Sequence, residues 1–237
     1  TLSAAQGFII QGDASRDWTG FSVSDAGDVN GDGYADLIVG AHQGDDGGSS
    51  AGEAYVVFGS ESGFGVTVGG RQVIDLTSLS SSQGFIIQGD SASDNAGYSV
   101  SSAGDVNGDG YDDLVIGASG DTDGGTSAGA AYVVFGGAGG FGTNVGGRQV
   151  IDLTTLSAAQ GFIIPGNAVG ELVGRAVSNA GDVNGDGYDD VFVAAPSGAD
   201  GGDFAGESYV IFGSANTFGE AVGGRQILSL TSLSASQ

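Results

Sequence analysis

The 237 residues include 29 acids against five arginines and no lysine, a formal charge of −24, and such a surface repels nucleic acid and anionic membrane. The absence of cysteine rules out disulfides, thiol catalysis and cysteine-based zinc sites. No apolar run approaches the roughly 18 residues needed to insert across a bilayer, and 49 glycines with 40% hydrophobic residues predict short strands joined by many turns rather than disorder.

The chain repeats itself. Leu2-Ser3-Ala4-Ala5-Gln6-Gly7-Phe8-Ile9-Ile10 returns at Leu79 to Ile87 and at Leu156 to Ile164, a period of 77 residues with no insertion or deletion. The units run approximately 7–83, 84–160 and 161–237, and residues 1–11 supply an extra copy of the first strand. Four strands are predicted per unit; in the first they are Gly7 to Gln11, Gly20 to Ser24, Asp36 to Ala41 and Glu53 to Gly59. Between the fourth strand and the next Gly-Phe-Ile-Ile, the stretch Gly69 to Leu76 is read as a fifth, outer strand. A short helical turn is expected at Leu-Ser-Ala-Ala-Gln. A chain that begins at Thr1 and contains no methionine reads as a processed product or a segment of something longer.

Between the second and third strands lies Asp28-Val29-Asn30-Gly31-Asp32-Gly33-Tyr34-Ala35-Asp36, repeated at Asp105 to Asp113 and Asp182 to Asp190. A hard cation such as Ca²⁺ takes six to eight oxygen ligands, and alternate residues of a tight loop aim theirs at one point. Asp28, Asn30, Asp32 and Asp36 are therefore expected as side-chain ligands, with Tyr34 contributing its carbonyl. The equivalent sets are Asp105, Asn107, Asp109, Tyr111, Asp113 and Asp182, Asn184, Asp186, Tyr188, Asp190. A polar turn would explain one such copy; it does not explain aspartate at position 9 in all three. The loop opens into β-branched runs such as Leu37-Ile38-Val39, and position 12 holds Val39, Ile116 or Val193, so the helix-flanked EF-hand with its bidentate Glu is excluded. About one Ca²⁺ per unit, three in all, is expected.

Four short strands per unit, glycine turns and an exact repeat predict an all-β fold of propeller blades, each four antiparallel strands. The sequence of Gly-x-Ser-Val, then Gly-Asp-x-Asn-Gly-Asp-Gly-x-x-Asp-Leu-x-x-Gly-Ala, then Tyr-Val-x-Phe resembles the FG-GAP repeat of integrin α subunits and bacterial surface proteins. The resemblance covers all three units. It departs from the family at Thr19, Ala96 and Val173, which stand for the first phenylalanine, and in the Gly-Ala-Pro signature, which reads Gly40-Ala41-His42, Gly117-Ala118-Ser119 and Ala194-Ala195-Pro196. It implies cation loops that stabilise the blades, an extracellular or cell-surface location, and adhesion to a surface protein or glycan. Three blades are few for a closed ring, so the extra strand at 1–11 is expected to complete the last blade or a neighbouring copy's by strand addition.

Other residues receive structural readings. His42 is taken as a loop residue and Trp18 as a packing or surface residue, with sugar stacking as its alternative. Asp45-Asp46, Asp121 with Asp123, and Asp200 with Asp203 read as solvated glycine-rich loops, against a second, weaker cation site or completion of the first. Arg71, Arg148 and Arg225 share one repeat position and are expected to make ion pairs or carbonyl contacts between units. The carboxylates proposed as cation-loop ligands recur in every unit, so the two unlike carboxyls of a glycosidase are not expected, and no enzyme is predicted. The functional expectation is a calcium-binding module for adhesion or self-assembly, with a lectin-like propeller and an accessory domain of a larger secreted hydrolase as alternatives.

Overall fold

The computed structural model describes residues 2–61 and 63–233; Thr1, at the start of the extra strand segment, and 234–237, at the end of the third unit, lie outside them. In chain order the strands are β1 (Phe8–Gln11), β2 (Ser22–Gly27), β3 (Asp36–Ala41), β4 (Glu53–Val57), β5 (Val66–Val68), β6 (Arg71–Asp75), β7 (Gly84–Gln88), β8 (Ala96–Gly104), β9 (Asp113–Ala118), β10 (Ala130–Val134), β11 (Thr143–Val145), β12 (Arg148–Asp152), β13 (Gly161–Pro165), β14 (Ala176–Gly181), β15 (Asp190–Ala195), β16 (Glu207–Ile211), β17 (Glu220–Val222) and β18 (Arg225–Ile227). Among the described residues the only helices are three short 3₁₀ turns, and no helix is long and apolar enough to cross a membrane. The fold is all-β, a partial propeller.

Each blade is an antiparallel meander of three strands from one unit closed by the first strand of the next. Thus β2, β3 and β4 are followed in the sheet by β7, with Glu53 opposite Gln88 and Val57 opposite Gly84. The second blade orders β8, β9, β10 and β13 in the same way. The third unit contributes β14, β15 and β16, while β1 pairs with β6 alone, so within the described chain β1 does not reach the last blade.

The expected single outer strand is a hairpin, and it serves the blade behind it. β11 and β12 leave the second blade, turn at Gly146-Gly147 and lay β12 parallel to β7 of the first blade, with Val150 opposite Ile86. β17 and β18 clip onto β13, and β5 and β6 onto β1. A complete blade therefore has six strands. Aromatic stacking locks each hairpin: Phe64 on Phe8, Phe141 on Phe85 and Phe218 on Phe162 lie 4.1, 4.2 and 4.2 Å apart and nearly parallel. Such pairs contribute about 0.5–1.5 kcal/mol beyond the area they bury.

Local detail also departs from expectation. The helical turn falls at Leu76–Ser78 because the Asp75 carboxylate accepts the Thr77 N–H and nucleates it there. The Leu-Ser-Ala-Ala-Gln type segment instead forms a hydrogen-bonded turn, Gln83 N–H to Ser80 carbonyl at 2.9 Å. β2 starts later than expected and runs on to Gly27 through a bulge at Asp25, which delivers the chain to Asp28.

Blades stack face to face. Strand residues alternate between faces, so Ala54 and Val56 meet Leu114, Ile116 and Tyr132 of the second blade, whereas Tyr55 and Val57 meet Ile74 and Leu76. β9 and β10, covered on both faces, are buried throughout, which explains their unbroken apolar sequence. The third blade has one covered face; on the other, Phe192 stays 39% exposed.

Two motif positions prove to be contacts between units. A Cβ on Gly40 would lie 2.1 Å from the Gly97 carbonyl oxygen, and one on Gly117 would lie 1.9 Å from that of Gly174. Ser22 Oγ accepts the Val100 N–H at 3.0 Å and Ser99 Oγ the Val177 N–H at 3.1 Å. The third unit has Ala194 and Ala176 at these places.

Candidate metal centres

The three acidic loops sit at one end of the blades, between the bulged strand and the strand that follows. Asp28 Oδ1 accepts N–H groups of Gly31 and Asp32 at 2.8 and 3.0 Å, and its Oδ2 accepts that of Gly33 at 2.9 Å. Asn30 Oδ1 accepts the Asp32 N–H and Asp32 Oδ1 the Tyr34 N–H. Gly31 and Gly33 carry φ of +73° and +89°, the left-handed conformation this wrapping needs. The loops at 105–113 and 182–190 repeat every one of these bonds.

Position 9 does something different. Asp36 is fully buried, accepting the Val29 N–H at 3.0 Å and the Gly59 N–H at 2.8 Å, and so ties the loop to the end of β4. Asp113 and Asp190 bond their own units alike. Burial pushes the Asp36 carboxyl up to about 6 and that of Asp113 up to about 8, against the opposing pull of those amides.

The donor set is oxygen only, three carboxylates and one amide per loop, and among the described residues no ion pair joins any of them to an arginine. That chemistry fits a hard divalent cation. The loop aspartates are held by backbone amides rather than gathered: the described groups of three acids with oxygens within 4.8 Å of one another lie elsewhere.

Position 8, to which sequence reasoning gave no role, links the loops in series. Asp112 Oδ2 accepts the Asp28 N–H at 2.7 Å, and Asp189 Oδ2 accepts that of Asp105 at 3.0 Å. The Tyr111 ring covers Gly31 and the Tyr188 ring covers Gly108, so that a Cβ on either glycine would strike the ring at 2.5 or 2.4 Å. The available signal was the pattern Ala35, Asp112, Asp189.

A family model for the FG-GAP repeat matches residues 21–57, 96–134 and 173–211, one match per unit, each spanning the loop and the three strands around it. It is an FG-GAP repeat protein. Integrin alpha-PS2 of Drosophila melanogaster is 32% identical to it over 201 residues, which are 82% of this chain and 12% of that protein. The chain thus spans about an eighth of the relative's length.

At the opposite end of the FG-GAP blades lies a second acidic region, where Asp45, Asp46, Asp123, Asp200 and Asp203 are exposed as the solvated-loop reading expects and Asp121 is not. Asp121 is 1% exposed; its oxygens accept the Tyr132 hydroxyl at 2.6 Å and the Asp123 N–H at 2.8 Å. Arg225, from the following unit, bonds Asp90 at 3.1 Å and Asp123 at 3.2 Å. Arg148 bonds Asp13 at 3.0 Å and Asp46 at 2.7 Å, so two of the three arginines make the expected contacts between units. Arg71 is exposed and makes no ion pair among the described residues.

His42 lies in the turn after β3, as expected of a loop residue. It is buried among Phe21, Tyr98 and Trp18 at ring-centre distances of 4.1, 5.3 and 5.9 Å. Burial, and secondarily Arg175, hold its pKa below the usual histidine range. Trp18 is 62% exposed and meets His42 edge-on.

Proposed function

We propose that each FG-GAP loop binds one Ca²⁺, and that the chain is a non-catalytic, calcium-stabilised adhesion module displayed outside the cell or on its surface. Asp28, Asn30, Asp32, Asp36 and the Tyr34 carbonyl would hold the first ion, and the equivalent residues at 105–113 and 182–190 the other two. The observation that carries this reading is the serial linkage of three oxygen-only loops through Asp112 and Asp189. An ion that cancels carboxylate repulsion in one loop would also steady its neighbour. The family supports adhesion, with a surface protein or glycan as partner. Calorimetry on the metal-free chain should count calcium bound in the loops, and thermal melts should show all blades loosening together on chelation. An unchanged melting temperature and hydrodynamic size in EDTA would overturn the proposal.

Self-assembly is the second reading, favoured by the edges of the sheets. β16 pairs only with β15, and β1 only with β6. By the register of the internal blades, β1 of a second copy would set Gln11 opposite Glu207 and Gly7 opposite Ile211. Arg71 would then face Asp200. Ala35, Ala176 and Ala194 would make this seam looser than the internal ones, so a calcium-dependent, reversible association is expected. A native mass of 23.0 kDa at all concentrations in calcium would remove this reading.

A further inference from the structure

The second acidic region holds more negative charge than its arginine can balance. At the seam between the second blade and the hairpin that clips it, an oxygen of Asp90, of Asp94 and of Asp121 lies within 4.8 Å of the others. Asp94 is 2% exposed, Asp121 1%, and the Asp90 side chain 5%. Asp94 Oδ1 is buried without any hydrogen-bond partner, which is costly unless something unseen satisfies it. These three buried carboxylates and the exposed Asp123 have one guanidinium, Arg225, among them. The first blade repeats the arrangement: Asp13, Asp46 and Glu53 group within 4.8 Å, Arg148 is the lone cation, and Asp13 Oδ1, on a side chain 9% exposed, is again without a partner.

Only Asp13 and Asp90 share a repeat position: Asp46 corresponds to Asp123 rather than to Asp94, and the third carboxylate also comes from two different positions. In the first unit it is Glu53, and Gly44 opposite must be small, since a Cβ there would lie 2.5 Å from the Glu53 carboxyl carbon. In the second unit Asp121 stands at the position of Gly44, and Ala130 at that of Glu53. A tyrosine hydroxyl, Tyr55 or Tyr132, donates to the carboxylate in each case. The sequence has moved while the charge has stayed. In the third unit Asn167 replaces Asp13, and Glu171 turns to the N–H groups of Asn167 and Ala168 at 2.8 and 3.1 Å.

We infer that the Asp90–Asp94–Asp121 cluster is a second class of divalent-cation site, distinct from the FG-GAP loops, with an equivalent at Asp13–Asp46–Glu53. Its ligands are carboxylate oxygens, so it takes a hard ion of the Ca²⁺ or Mn²⁺ type. One such ion would offset carboxylate charge that a single arginine leaves unbalanced in each cluster. Burial, then contact with Asp90 and Asp121, pushes the Asp94 carboxyl upward, as expected where a positive charge belongs.

The test is anomalous diffraction from crystals of the full chain soaked in Mn²⁺, with calcium counted by equilibrium dialysis. The expected result is Mn²⁺ density between Asp90, Asp94 and Asp121, and one ion fewer per chain in Asp94→Asn, while Asp109→Asn separately loses a loop ion. Density confined to the loops, with an unchanged count in Asp94→Asn, would overturn the inference and leave the loop proposal intact. Mn²⁺ at the cluster with empty loops would do the opposite. Should Asp94→Asn fail to fold, the diffraction from the unaltered chain decides alone.

Discussion

The two ends of each blade are both acidic, yet they solve the problem of packed negative charge differently. At the loop end, carboxylates are spread over nine consecutive residues and satisfied by the amides of their own loop. At the opposite end they are buried, drawn from distant parts of the chain, and balanced in part by an arginine from the following unit. The first arrangement needs only local sequence and glycine turns. The second exists only when two units have docked, so it reports on assembly of the array rather than on folding of a loop.

The largest way to sharpen this contrast is to remove metal from the loops. At calcium a hundredfold above its Kd, each ion contributes about 2.7 kcal/mol. At about 2–4 °C per kcal/mol for a chain of this size, three loop ions lower the melting temperature by on the order of 20 °C when stripped, measurable by calorimetry. Next is the arginine of the docked seam. Arg225→Gln leaves buried carboxylates uncompensated and should cost about 3 kcal/mol in urea melts, whereas Arg71→Gln, at the same repeat position but exposed, should stay within about 0.5 kcal/mol. Equal effects would erase the distinction between docked and open seams. Asp112→Ala removes a charged acceptor from the Asp28 amide and should cost about 1.5–3 kcal/mol. The companion Ala35→Asp, made in this chain, should change little, because no earlier loop lies among the described residues.

The smallest effect is in pH, read on the metal-free chain. Glu53 at about 7, Asp36 at about 6 and Asp113 at about 8 all lie above their unfolded values, chiefly through burial. The folded state therefore binds more protons than the unfolded one, and stability must fall as pH rises from about 4 to 8. Calcium competes with those protons and should flatten the slope. A metal-free melting temperature that rises over that window would contradict the burial of these acids.

What could be read in advance follows the same division. The loops were legible because every ligand candidate falls within nine residues and recurs at a fixed spacing. The strands were legible because a blade covered on both faces needs unbroken runs such as Leu114-Val115-Ile116. The seam was not. Arg148 meets Asp13 from 135 residues away, and its third carboxylate changes position between Glu53 and Asp121, which defeats any reading that assigns one role to one repeat position. The hairpins were half legible: Gly146-Gly147 marks the turn, but nothing local says that β12 returns to the previous blade. The burial of His42 was not legible because one of its ring partners, Tyr98, comes from the next unit.

That backward return has a consequence for how such an array can be made or altered. During synthesis the first blade stays unlocked until Asp152 has left the ribosome, well after its four inner strands are complete. Each unit thus acts as a delayed fastener for the one before it. Cutting the gene at a unit boundary would delete one blade and also unlatch its predecessor, so the natural module for grafting or truncation is a blade together with the hairpin that follows it, not the repeat as the sequence displays it.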